Sequence, residues 1–275
     1  MLDSFRVIAH RGASANAPEN TEASFLCAEQ LGALEVEMDV RFSSDLEIMV
    51  FHDDRLDRKT DCTGRFRHYD SQFLSTLDVA PWFQREHADQ TKWPGSTRIA
   101  KMADVLSVLR KRVHYHIEIK DSDDLLPLRL VQMLDESQLL SQVTFSSFAM
   151  RPLHAIRELL PSAQVCFLLR DAHDALRSAE FRPELEGLSM NAVRDYWVRV
   201  AAEADFQMVA VRAAEVDARI VERATQCGVM LRGWGVESEA QLLALRDFGA
   251  IGATVDWPGR ALELVGSSGS PALGD

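Results

Sequence analysis

Short β-branched runs alternate with amphipathic stretches along most of the chain. The apolar positions predict strands at Arg6–Ala9, Glu35–Arg41, Val113–Ile119, Gln142–Phe145, Gln164–Leu169, Glu186–Met190, Val229–Arg232 and Ile251–Val255. Helical spacing lies between most of them, over Thr21–Leu31, Lys101–Arg112, Leu125–Gln138, Met150–Leu160, Ala213–Gln226 and Glu237–Phe248. Asn20 or Thr21 is placed to cap the first helix, and Gly32 to end it. Strands separated by helices make parallel βα units. Eight of them predict an α/β fold, a (β/α)8 TIM barrel; a doubly wound open sheet is the competing architecture.

Two segments break the rhythm. Ile48–His52 reads as a strand that follows its predecessor too closely for a helical crossover, so the two should form an antiparallel hairpin turning near Ser44-Asp45. That hairpin would fold His52 back beside residues 37–39. Residues 55–100 lack the βα pattern and carry Pro81, Trp82, Trp93 and Pro94, as expected of an inserted cap over a barrel's active face. Residues 1–265 are thus expected to form one barrel domain, and the Gly-, Ser- and Pro-containing residues 266–275 a disordered tail.

A length of 275 residues suits one barrel, and 47% hydrophobic with 26% charged residues is the balance of a soluble globular protein. The net charge of −12 argues against nucleic acid or an anionic membrane as partner. An anionic substrate would then need local positive charge. No apolar run approaches a membrane span. The N-terminus, Met1-Leu2-Asp3-Ser4-Phe5, is acidic and runs at once into a strand, which predicts a cytoplasmic protein. Four cysteines without a CxxC pair read as buried, reduced thiols.

Against this background the polar residues near strand ends stand out. In Glu35-Val36-Glu37-Met38-Asp39-Val40, alternation puts the three acids on one face and the apolar residues on the other. A barrel strand is covered on both faces, so carboxylates there need a cation or hydrogen bonds. His114-Tyr115-His116-Ile117-Glu118-Ile119-Lys120 repeats the pattern. Glu118 can join Glu37 and Asp39 as a third oxygen ligand, and Lys120 can reach a phosphate; His114 and His116 lie deeper and read as structural. An all-oxygen donor set points to Mg²⁺ or Ca²⁺. His10 and Arg11 end the first strand, where Arg11 offers a planar fork for phosphate oxygens. Glu19 and Asn20 could serve the site or only cap the helix. Two imidazoles, a guanidinium and clustered carboxylates together suit cleavage of a phosphate ester.

His10-Arg11-Gly12, Pro18-Glu19-Asn20-Thr21, Glu37-x-Asp39, His52-Asp53 followed by Leu56, Arg58 and Thr60, and Ile117-Glu118-Ile119-Lys120 together resemble the glycerophosphodiester phosphodiesterases. Fainter similarity runs through Ser146-Ser147-Phe148, Gly233-Trp234-Gly235-Val236 and Thr254-Val255-Asp256-Trp257-Pro258, so the likeness spans residues 6–262. The resemblance implies a TIM barrel with a small cap and a divalent cation on Glu37, Asp39 and Glu118. It further implies His10 and His52 as acid and base, and Arg11, Lys120 and Trp234 as substrate contacts. The implied reaction is hydrolysis of a glycerophosphodiester to glycerol 3-phosphate and an alcohol. A related phosphodiesterase or lyase acting on lysophospholipid or sugar diesters, and a non-catalytic phosphodiester-binding protein, are the alternative readings.

Overall fold

The computed structural model describes residues 5–88, 93–94, 96–170 and 185–266. Among the described residues ten strands are formed: β1 (Arg6–Ala9), β2 (Glu35–Phe42), β3 (Ile48–Val50), β4 (Ala100–Lys101), β5 (His114–Ile119), β6 (Val143–Ser147), β7 (Gln164–Leu168), β8 (Met208–Arg212), β9 (Met230–Trp234) and β10 (Gly252–Val255). Eight of them close into a parallel barrel in the order β1-β10-β9-β8-β7-β6-β5-β2, with β2 returning to β1. Helices lie between successive strands around most of the ring. The barrel is therefore the architecture, and the open sheet is excluded. β3 and β4 stand outside the ring; β3 pairs antiparallel with β2, Val40 opposite Val50, and β4 continues from β3. This is the hairpin the short connection requires, although the strand ends at Val50 and His52 lies just beyond it.

One expected strand is wrong. Glu186–Met190 forms no strand: it is a turn leading into the helix Met190–Glu203, whose cap Ser189 accepts from the backbone of Ala192. The barrel strand in that part of the chain is β8, from Met208 to Arg212. Buried Val193, Trp197 and Ala201 sit four apart, which fits a helix packed on the barrel. The expected helix Ala213–Gln226 is also shorter, with a 3-10 turn at Ala213–Glu215 and then Ala218–Gln226, capped by Asp217.

The main core lies between barrel and helices. Val36, Met38 and Val40 of β2, and Tyr115, Ile117 and Ile119 of β5, point outward into it. The polar faces of the same strands must then point inward. The interior divides into an apolar sector of Cys166, Leu168, Met208 and Ala210 and a polar sector carried mainly by β2 and β5. Low in the barrel, His116 Nε2 meets Glu35 Oε2 at 2.7 Å and His114 Nε2 meets Thr144 Oγ1 at 2.8 Å. Both histidines thus have structural partners. A separate small core of Met49, Phe51, Leu56, Phe66, Leu74, Leu77, Val79 and Ile99 holds the segment between β3 and β4. All four cysteines are free; Cys166 is buried and the other three are half-buried. Among the described residues, no helix is long and apolar enough to cross a membrane. The expected tail lies, apart from Gly266, outside the described residues.

Candidate active site

The site is assembled at the ends of β1, β2 and β5. Where β1 stops, Arg11 and Gly12 take left-handed backbone, φ 54° and 83°. A side chain at Gly12 would put its Cβ 2.4 Å from Ser24 Oγ and 2.5 Å from the Ser24 carbonyl carbon, so only glycine lets the loop pass this close to the first helix. Ser24 Oγ in turn donates to the Arg11 carbonyl at 2.8 Å. The loop thereby fixes Arg11, whose backbone N–H donates to Glu37 Oε2 at 3.0 Å.

Parallel pairing of β2 with β5 sets Asp39 opposite Glu118 and Glu37 opposite His116. Because the acids alternate with outward residues, Glu37, Asp39 and Glu118 converge inside, each offering an oxygen within 4.8 Å of the others. All three are buried. Asn20 clamps Asp39 twice: its Nδ2 donates to Asp39 Oδ2 at 2.7 Å, and the Asp39 N–H donates to its Oδ1 at 3.1 Å. Arg11 Nε lies 3.1 Å from Asp39 Oδ2, and Arg11 NH1 donates to Glu19 at 2.8 Å. Lys120 Nζ donates to Glu118 Oε1 at 2.6 Å and lies 3.2 Å from Asp39 Oδ1.

The electrostatics leave room for one more cation. Burial, then repulsion from Asp39, pushes the Glu37 carboxyl up to about 7. Burial and Asp39 also raise Glu118, against the pull of Lys120. Asp39 is held well below the usual carboxylate range: Lys120 and Arg11 overcome its burial. Its Oδ1 is nevertheless buried without an aligned hydrogen-bond donor among the described residues, despite the nearby Lys120 charge. Three crowded carboxylates, one with an orphaned oxygen, fit a hard divalent cation.

Each predicted histidine has its own aspartate. His10 follows Ala9, which is paired with Val36, so it arrives beside Glu37; its Nδ1 is 2.6 Å from Asp256 Oδ1, and Ser14 Oγ donates to the same oxygen at 2.9 Å. His52 is brought in by the hairpin, as the preceding Phe51 N–H donates to the Asp39 carbonyl at 3.0 Å. Its Nδ1 is 2.7 Å from Asp53 Oδ1, and its carbonyl accepts from Arg41 Nε and NH2 at 3.0 and 2.8 Å. With Nδ1 engaged, Nε2 is the nitrogen each ring has for chemistry. The two rings are tuned apart. Burial and Arg11 act to lower the His10 pKa, but the Asp256 hydrogen bond and the charges of Glu37 and Asp256 leave it raised. Burial dominates at His52 and lowers it, against Asp53 and Asp39.

Trp234, at the end of β9, contributes to the rim. Its indole N–H donates to the Leu169 carbonyl at 3.2 Å, and its ring meets Phe148 edge-on at 5.4 Å. Phe148 lies 5.9 Å from Lys120 Nζ, so Trp234 is joined to the cationic wall through that ring rather than to the carboxylates.

A model of the glycerophosphoryl diester phosphodiesterase family matches residues 10–260. The chain belongs to that family. A glycerophosphodiester phosphodiesterase of Caldanaerobacter subterraneus subsp. tengcongensis is 27% identical over 272 residues, covering 96% of this chain and 98% of the relative. One from Bacillus subtilis is 25% identical over 266 residues, covering 93% of this chain and 85% of its own length. Among solved structures, a phosphodiesterase of Oleispira antarctica in complex with the product sn-glycerol-3-phosphate superposes with a TM-score of 0.77 at 25% identity, over 96% of this chain and 98% of that one. Membership makes this chain a phosphodiesterase, and its barrel is that of the glycerophosphodiester phosphodiesterases.

Sequence reasoning brought Glu37, Asp39, Glu118, His10, His52, Arg11 and Lys120 to one end of the barrel, where this family member gathers them. It gave no role to Asp53, Asp256 or Lys59. Asp53 and Asp256 had a signal, one beside His52 and the other at the end of the last strand. Glu19 and Asn20, left between site and cap, contact Arg11 and Asp39, while Thr21 caps the helix by accepting from Ser24.

Proposed function

We propose that this phosphodiesterase hydrolyses glycerophosphodiesters to glycerol 3-phosphate and an alcohol, with Glu37, Asp39 and Glu118 holding Mg²⁺ or Ca²⁺ and with His10 and His52 as acid and base. The observation that carries this reading is the buried carboxylate cluster flanked by two imidazoles, each backed by its own aspartate. The names of the relatives support the same substrate class. Bound at the three carboxylates, the cation supplies positive charge that polarises a phosphoryl oxygen.

The remaining work falls to the chain's own side chains. Arg11 and Lys120 bind the phosphate and stabilise the charge that builds on it in the transition state. His52, with its lowered pKa, takes a proton at Nε2 from the nucleophile, either water or a neighbouring hydroxyl of the substrate, the latter giving a cyclic phosphate that water then opens to glycerol 3-phosphate. His10, with its raised pKa, donates a proton from Nε2 to the departing alkoxide as its bond to phosphorus breaks. Trp234 supplies an apolar wall at the rim for the glycerol or the alcohol. The described part of residues 55–100, in which the Trp82 ring faces the Lys59 ammonium, acts as the cap of the barrel domain.

The test is product release from a panel of glycerophosphodiesters. Glycerol 3-phosphate should appear with added Mg²⁺ or Ca²⁺, vanish with EDTA and return when the cation is restored. Turnover of the whole panel undisturbed by exhaustive chelation would reject the cation-bound site, and lysophospholipid cleaved in preference to every soluble diester would reject the substrate class.

A further inference from the structure

Lys59 is 2% exposed, yet it takes no part in the chemistry described above. Its Nζ is paired with Glu19 Oε1 and lies 3.3 Å from Asp53 Oδ1. Phe51 and Trp82 enclose it, with ring centroids 5.1 and 5.3 Å from Nζ. A buried ammonium is costly unless its charge is matched, and here two carboxylates match it. Those two carboxylates are also the immediate supports of the proposed functional groups. The same Glu19 Oε1 accepts from Arg11 NH1, and the same Asp53 Oδ1 meets His52 Nδ1. Arg11, Glu19, Lys59, Asp53 and His52 therefore form one unbroken line of charge-assisted contacts. It joins the end of β1 to the segment after β3, which meet through no other ion pair among the described residues.

We propose that Lys59 is a positioning residue that sets Arg11 and His52 relative to one another by holding Glu19 and Asp53 a fixed distance apart. The inference rests on the roles of Arg11 and His52 in the proposed function. Lys59 itself is too deeply enclosed to meet a substrate. A compact ammonium suits the task because it can donate to two carboxylates from a point, whereas a planar guanidinium needs more room than the Phe51–Trp82 enclosure gives. Without it, Glu19 and Asp53 would repel each other and re-aim towards their remaining cations, Arg11 and Arg58, which moves both functional groups.

Lys59→Met and the milder Lys59→Gln test this, with glycerophosphocholine as substrate well below the melting temperature. Either variant should lower kcat about tenfold or more and raise KM several-fold, since misplacement of reacting groups is expensive in rate. A purely structural lysine would instead lower kcat with the folded fraction and leave KM alone. The imidazole ring-proton NMR signal of His52, read without substrate, should shift or broaden in Lys59→Met. A folded variant with both constants within about twofold of the parent and an unaltered His52 signal would overturn the inference. If the parent does not cleave the diester, the functional reading fails by itself, and the ring signal still decides the role of Lys59.

Discussion

At the scale of single residues, the two imidazoles are distinguished by what stands behind them. Asp256 and Glu37 raise His10 above its ordinary value of 6.5, while burial takes His52 below it. With His52 active when neutral and His10 active when protonated, kcat/KM should follow a bell. Its rising limb lies below 6.5 and belongs to His52; its falling limb lies above and belongs to His10. His10→Ala should abolish the falling limb and His52→Ala the rising one, each with about a hundredfold loss of kcat or more. A pH–rate series on the three proteins measures this, and retention of both limbs in His10→Ala would remove His10 from the mechanism. The two imidazoles were legible because one ends the first strand and a short hairpin folds the other back beside residues 37–39. Their partners were not. His10 and Asp256 are 246 positions apart, and only the pairing of β1 with β10 brings them together.

At the scale of elements, the strands with both faces committed were the easiest to read. β2 and β5 carry polar residues on one side and large apolar residues on the other, so the face each turns inward follows from burial alone. The region around residue 190 failed for the opposite reason. Glu186-Gly187-Leu188-Ser189-Met190 holds no β-branched or aromatic residue and no committed face, and Met190 instead opens the helix in which Val193, Trp197 and Ala201 pack as one stripe. Met208–Arg212 was the better strand and went unread because the helix before it had been missed. The loop after β1 reaches β2 through Asn20, whose φ of 58° turns its amide onto Asp39. Asn20→Ala removes both of its bonds to that carboxylate and should weaken cation binding about tenfold or more. Calorimetric titration with Mg²⁺ or Ca²⁺ checks it; unchanged affinity would show that Asp39 is oriented without the loop.

Considered as a whole molecule, a chain of net charge −12 buries three of its carboxylates against one another, with Arg11 and Lys120 as their local cations. Their crowding stores unfavourable energy that an ion relieves. A cation present at about a hundred times its dissociation constant should therefore stabilise the fold by about 2.7 kcal/mol, several degrees in Tm for a chain of this size. Calorimetric scans with EDTA, Mg²⁺ and Ca²⁺ measure the shift, and identical melting in all three would contradict a cation at this place.

The small core of Met49, Phe51, Leu56, Phe66, Leu74, Leu77, Val79 and Ile99 lies on the same stretch of chain as His52, Asp53 and Lys59. The carboxylates, by contrast, are anchored in the ring of strands. Mild stress that loosens the lesser nucleus would carry off the proton acceptor while the scaffold keeps its shape. Inactivation can thus precede denaturation, and the protein would go silent as a catalyst while its far-ultraviolet signature stays largely native.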